Sequence, residues 1–134
     1  MPAPKTRPTD ADVLEFLNSA TPSRRREDGL ALNEIFGEIT GVEPVMWGPS
    51  IVGYGTYPVT TAAGTYDWPK LGFSPRKANL TIYGLNDLPD GDDLLARLGP
   101  HTSSVACLYV KRLDALDGAV LRELIRIAWA IDYS

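Results

Sequence analysis

Two side chains of this sequence could form a nucleophile–base pair. They are the single histidine, His101, and the single cysteine, Cys107. A thiol beside an imidazole can become an activated nucleophile. Cys107, however, lies inside the apolar run Val105–Val110, where a thiol reads as a small, inert, buried hydrophobe. One histidine and one cysteine cannot close a four-ligand nitrogen–sulfur shell around zinc. The sequence also has no GxGxxG, no phosphate-cradling P-loop and no GxSxG elbow. The residue chemistry therefore assigns no catalytic group.

Carboxylates offer a different chemistry. Asp87, Asp90, Asp92 and Asp93 cluster together, and oxygen donors suit hard cations such as magnesium or ferrous iron. The spacing lacks the bidentate glutamate of an EF-hand loop. The same cluster also reads as an acidic helix start that complements the helix dipole. Arg24-Arg25-Arg26 presents the opposite case, because cations near a helix N-terminus oppose the macrodipole. That triplet is either a solvated face balanced by Glu27 and Asp28, or a patch directed at an anion or a partner protein. Arg76-Lys77 and Lys111-Arg112 are further basic doublets at strand ends. If the three sets converge in space, clustered guanidinium groups suit a carboxylate or a phosphate.

The most distinctive text is Pro44-Val-Met-Trp-Gly-Pro-Ser-Ile-Val-Gly-Tyr-Gly-Thr-Tyr57, followed by Trp68-Pro-Lys-Leu-Gly-Phe-Ser-Pro-Arg-Lys77. Glycines alternating with aromatics allow close backbone approach beside flat side chains. Trp47, Ser50, Tyr54, Trp68, Ser74, Arg76 and Lys77 are thereby candidate ligand-binding residues around an apolar pocket. The competing reading is that these aromatics are the core of a small sheet.

These residues need elements to position them. Met1–Pro8 carries three prolines and reads as a flexible tail, leaving 9–134 as a single domain. Thr9 and Asp12 have capping-box spacing ahead of a short helix bearing Val13, Phe16 and Leu17. Thr21-Pro22 predicts a second helix start, with Thr21 as the cap. That helix should bury Leu32, Ile35, Phe36 and Ile39 and end at Gly41. Between Glu43 and Leu85 lie six of the twelve glycines and four of the six tyrosines, which predicts strands and turns. Strands are expected near Ser50–Tyr57, Leu71–Ser74 and Asn79–Tyr83, with a hairpin turn at Ala62–Thr65. The five prolines of this stretch must sit at strand ends, edges or turns. A short helix at Asp93–Leu98, a buried strand at Val105–Val110 and an amphipathic helix at Leu116–Ile131 complete the order. Regular strand–helix alternation is missing. The expected fold is therefore α+β, a largely antiparallel sheet packed against helices.

Composition agrees with a globular chain. The 134 residues are 44% hydrophobic and 22% charged, with a net charge of −4. An acidic balance argues against a nucleic-acid partner. No apolar run is long enough to cross a bilayer, and no secretory leader is visible. The expectation is a cytoplasmic protein without a membrane partner and with no need for disulfides.

Met46-Trp47-Gly-Pro-Ser50-Ile-Val-Gly53-Tyr-Gly55, Gly72-Phe-Ser-Pro-Arg76-Lys77 and Cys107-Leu-Tyr109, with the helix that follows, resemble the YdhG-like domain family over about Arg25 to Ile131. The family is largely of unknown function, and one branch is described as frataxin-like iron chaperones. The resemblance implies helices on an antiparallel sheet, and iron as a cargo bound without catalysis. It carries over no catalytic residue. Many relatives have a lysine-containing loop before the cysteine, where this chain reads Pro100-His-Thr-Ser-Ser-Val-Ala106, which puts an anion contact by that loop in doubt. Three functions follow as expectations. The first is iron binding or delivery, with Asp87, Asp90, Asp92 and Asp93 as ligands. The second is a small-molecule or anion-binding domain on the Gly/aromatic segment with Arg76 and Lys77. The third is a protein-interaction module using the triple arginine or an exposed helix face.

Overall fold

The computed structural model describes residues 8–131 apart from 10, 49, 63, 87, 90, 105 and 106. The described elements, in chain order, are β1 (Pro8–Thr9), α1 (Val13–Asn18), α2 (Ser23–Thr40), β2 (Val45–Trp47), β3 (Ile51–Thr61), β4 (Gly64–Pro75), β5 (Leu80–Tyr83), α3 (Gly91–Leu98), β6 (Thr102–Ser103), β7 (Cys107–Val110), a 3₁₀ turn (Leu113–Ala115) and α4 (Gly118–Ala130). The strands form one antiparallel sheet of order β1-β2-β3-β4-β5-β7-β6. The α+β expectation is met.

Strand residues alternate between the two faces of a sheet, and the register turns that alternation into layers. Met46, Val52, Phe73, Ile82 and Leu108 pair in succession across five strands, and all five are buried. Phe36 of α2 lies against this face, its ring stacked at 4.9 Å on Tyr54 and at 5.8 Å on Phe73. The row one step along, Ser74, Thr81, Tyr109 and Thr102, points the other way and is polar. The helices α2 and α4 bury Leu32, Phe36, Val120, Leu121, Leu124, Ile125 and Ala128 in the core. Among the described residues no helix is long and apolar enough to cross a membrane.

The structure corrects several element boundaries. Pro8 and Thr9 are not tail and helix cap; they pair with Trp47 and Met46 as an edge strand. The cap of α1 is Asp12, whose carboxylate accepts from the Glu15 N–H at 3.0 Å. At α2 the cap position falls to Pro22, without a side-chain bond, so Thr21 does not cap it. The α2 helix does end at Gly41, with φ 70°. A three-residue strand, Val45–Trp47, was not anticipated. β3 and β4 run on to Thr61 and Gly64, which pair directly with each other, so the chain reverses inside the expected Ala62–Thr65 turn. Pro58 and Pro69 lie within these strands. The β2 and β5 pairings end before them, so the missing N–H leaves no ladder partner stranded on the outer side.

α4 starts at Gly118 rather than Leu116, because Asp117 caps it by accepting from the Ala119 and Val120 N–H groups. Val110 and Leu108 are buried while Tyr109 and Cys107 are half-buried. This strand therefore alternates rather than being buried on both faces.

Candidate functional site

The glycines of the Gly/aromatic segment make room for tryptophans. A Cβ at Gly53 would stand 2.6 Å from Trp47 Nε1 and 2.9 Å from Pro69 Cβ, so Trp47 lies flat on the β3 backbone. Gly55 has φ +68°, and a Cβ there would come within 2.6 Å of the Trp129 ring of α4. That left-handed residue breaks the strand's alternation. Tyr54 meets α2 while its neighbour Gly55 meets α4. Lys70 sits over the same indole, its Nζ 4.8 Å from the ring centroid and donating to the Trp129 carbonyl at 2.6 Å.

The seven residues read as ligand-binding fall into separate groups. Trp47 is buried and its ring centroid lies 6.3 Å from that of half-buried Trp68. Ser50 is half-buried in the turn before β3. Tyr54 belongs to the core: it is fully buried, its ring is stacked on Phe36, and its hydroxyl donates to Asn33 Oδ1. Burial raises its pKa well above the ordinary tyrosine value. Ser74 is also fully buried, and its hydroxyl accepts from Arg76 Nε at 3.4 Å. Arg76 is exposed and donates from Nη2 to the Tyr83 hydroxyl at 3.1 Å. Burial pushes the Tyr83 phenol up, and the Arg76 charge pulls it back in part. Lys77 is exposed. Of the candidate aromatics, Tyr54 is core, while Trp47, though buried, also lines a small cavity with Gly53, Gly55 and Thr56.

Of the four aspartates, Asp87 and Asp90 lie outside the described residues. Asp92 and Asp93 are both exposed, and Asp93 accepts an ion pair from Arg97 one helical turn on, at 3.3 Å. Among the described residues no group of three or more His, Cys, Asp or Glu side chains is arranged to hold a metal ion.

The arginine triplet is neither a solvated face nor a free patch. Arg25 is buried, and its Nη1 donates to the carbonyls of Val110 and Lys111 at 3.2 and 3.1 Å. One turn on, Asp28 Oδ2 accepts the Leu113 N–H at 3.0 Å. The two side chains hold the segment after β7 as a neighbouring strand would. Arg24 reaches Asp114 at 3.2 Å, and Arg26 Nε donates to the Ala20 carbonyl at 3.3 Å. Lys111 Nζ donates to the Ala78 carbonyl in the β4–β5 turn, beside Arg76-Lys77, at 2.9 Å. The backbone segments bearing the three basic sets are thus tied together at one end of the sheet, while each guanidinium has its own partner: Arg25 the Val110 and Lys111 carbonyls, Arg76 the Tyr83 hydroxyl and Arg112 the Asp114 carboxylate.

A cavity of about 760 Å³ opens at that end, between His101 and Thr102 on one side and Tyr109, Lys111, Arg112 and Ala115 on the other. Tyr109 alternates with buried Leu108 and Val110, which places it on the polar face of the sheet. Its hydroxyl lies 3.1 Å from Ser104 Oγ. His101 Nδ1 is 2.8 Å from the Gly99 carbonyl. A carbonyl can only accept, so Nδ1 carries a proton and donates it here. Arg112 forks the Asp114 carboxylate with Nε at 3.0 Å and Nη2 at 2.8 Å. The Arg112 hydrogen bonds hold the Asp114 carboxyl below its usual range, and the Asp114 carboxylate raises Arg112 in return.

Sequence reasoning had weighed His101 only as a partner for Cys107, and it had not considered Asn79, Tyr109 or Ala115 as cavity walls. The period-two pattern of Cys107–Val110 was the available signal. Cys107 pairs across strands with Tyr83, and the His101 proton donor is engaged by the Gly99 carbonyl. Comparison of the chain with protein-family models, curated proteins and solved structures returns no match.

Proposed function

We propose that this protein binds a small amphipathic organic anion, without catalysing a reaction, in the cavity beside Tyr109. The carrying observation is the pairing of a largely apolar enclosure of about 760 Å³ with Lys111 and Arg112 in its wall. Ligand sites of this kind are apolar hollows with a few oriented polar groups, and this volume falls in their range. Pro100, Tyr109 and Ala115 would cover an aromatic or aliphatic body. The two cations would meet a carboxylate or phosphate. Lys111 and Arg112 support the charge of the ligand, because they place local positive charge at the cavity on a chain of net charge −4.

Calorimetric titration with 1-naphthaleneacetate tests the reading, alongside Ala115→Trp. Ala115 is exposed, so an indole there fills the cavity without disturbing the core. Wild type is expected to saturate at one equivalent. At tenfold over Kd its stability should rise by roughly 1.4 kcal/mol. Ala115→Trp should keep its melting temperature and lose the binding. Absence of saturable binding across aromatic carboxylates and phosphates at millimolar concentration would sink the proposal.

A further inference from the structure

We infer that Asp114 is an internal occupant of the anion subsite, and that a ligand's carboxylate or phosphate binds by displacing it from Arg112. The inference rests on the anion-binding reading above and names the group that regulates it.

The geometry is that of a ligand already in place. A planar guanidinium recognises an oxyanion through two parallel N–H donors. Arg112 presents that arrangement to Asp114, with Nε on Oδ1 at 3.0 Å and Nη2 on Oδ2 at 2.8 Å. Arg112 also lines the cavity while Asp114 does not, so the guanidinium turns from Asp114 to meet a molecule held there. The carboxylate has a second holder, because Arg24 Nη1 of α2 contacts Oδ2 at 3.2 Å. Asp114 can therefore turn to Arg24 when Arg112 is taken, and neither charge is left alone.

Exchange is easy for three reasons. Both side chains are about half exposed, at 55% and 54%, and exposed ion pairs add little to folding stability. Asp114 sits in the short 3₁₀ turn rather than in a long helix. The neighbouring carboxylate, Asp28, is anchored on the Leu113 N–H and acts on Arg112 only through its charge. Lys111 forms no ion pair among the described residues, and its ammonium is held by a neutral carbonyl. The cluster of Arg24, Lys111 and Arg112 against Asp114 therefore keeps a surplus of positive charge while Asp114 occupies the fork.

The test compares Asp114→Asn with wild type for 1-naphthaleneacetate, 1-naphthyl phosphate and the neutral 2-(1-naphthyl)ethanol. Asp67→Asn, on the exposed far part of the β3–β4 hairpin, controls for net charge. Asp114→Asn is expected to raise affinity for the two anions at least fivefold, to change the alcohol less than twofold, and to exceed any effect of Asp67→Asn. The ratio between the two anions tells a carboxylate ligand from a phosphate.

Equal effects on all three probes, or none on the anions, overturns the exchange. If the alcohol binds wild type and the anions bind no tighter to either form, the exchange fails and only an apolar cavity site survives. If no probe binds, the functional proposal falls. The exchange is then judged by the Arg112 Nε–H resonance under inorganic phosphate, which must move in Asp114→Asn and stay nearly fixed in wild type. Equal movement in both refutes it.

Discussion

Arg24, Arg25 and Arg26 are adjacent and chemically identical, yet their surroundings differ enough to give them different energetic roles. Arg25 is 6% exposed and serves two carbonyls, while its Nε has no partner among the described residues. Removing its side chain leaves the Val110 and Lys111 carbonyls without a charged donor in a buried place. Arg25→Ala should therefore destabilise the fold by about 2–3 kcal/mol. Arg24 is half-exposed and makes an ion pair with Asp114, so Arg24→Ala should cost no more than about 1 kcal/mol. Urea denaturation of the two variants separates them, and equal losses would contradict the clamp. Tyr54 allows a pH test at the same scale. Its phenol is buried and its pKa is raised, and Tyr83 is shifted the same way. Above roughly pH 10 the unfolded chain ionises its tyrosines while the folded chain keeps Tyr54 protonated and gives up the Tyr83 proton later than the unfolded chain does, so stability falls as pH rises. Tyr54→Phe should lose about 1 kcal/mol at pH 7 with its bond to Asn33. Its stability should then decline less than that of wild type between pH 7 and pH 10.5, as read from denaturation midpoints at the two values.

At the level of elements, the β3–β4 hairpin depends on Gly55, where a left-handed residue lies under an indole from another helix. Gly55→Ala meets both a strained φ and the Trp129 ring, for a combined loss of about 2 kcal/mol or more. Trp129→Leu in the same chain should return part of that loss, because it relieves the contact and leaves the strain; strictly additive losses would show that the ring is not the obstacle. The glycine-aromatic spacing was readable as strand and turn, and it located strands near Ser50–Tyr57, Leu71–Ser74 and Asn79–Tyr83; that Val52, Phe73 and Ile82 share one face emerges only from the register. What could not be read was the length of β3 and β4. Pro58 and Pro69 look like strand terminators until it is known that their outer edges carry no ladder partner. The Gly55 partner was equally hidden, since Trp129 lies far along the chain on α4. The cavity was hidden for a related reason. His101, Tyr109 and Ala115 come from three short elements around a β6–β7 pairing of two residues, and only the sheet register brings them together. The basic doublets, by contrast, were recognisable in the sequence; the hydrogen bonds of Arg25 and Lys111 tie their backbone segments together, while of the three sets only Lys111 and Arg112 line the cavity.

For the molecule as a whole, an anion ligand faces two opposing fields. The net charge of −4 repels it from a distance, while Lys111 and Arg112 attract it at contact. A contact pair at about 4 Å in water contributes about 1 kcal/mol, so the two cations together supply about 2. With those two cations set apart, the rest of the chain carries a net charge of −6 (11 − 17); spread at roughly 15 Å, near the radius expected for a chain of this size, it opposes the ligand by about 1.7 kcal/mol without salt. Salt acts on these distances unequally. At about 0.1 M the screening length is near 10 Å, so the distant repulsion drops to a few tenths of a kcal/mol while the contact attraction loses about a third. Between about 10 and 100 mM the gain and the loss differ by only a few tenths of a kcal/mol. Above that concentration only the attraction remains to be screened. The Kd for 1-naphthaleneacetate is therefore expected to stay within about twofold from 10 to 100 mM sodium chloride, then to weaken about threefold or more toward 1 M. The neutral 2-(1-naphthyl)ethanol should show no such weakening. A steep loss beginning at the lowest salt would mean that a broad cationic surface, rather than the Lys111–Arg112 site, captures the anion. An anion affinity that follows the alcohol throughout would remove these two cations from the binding site.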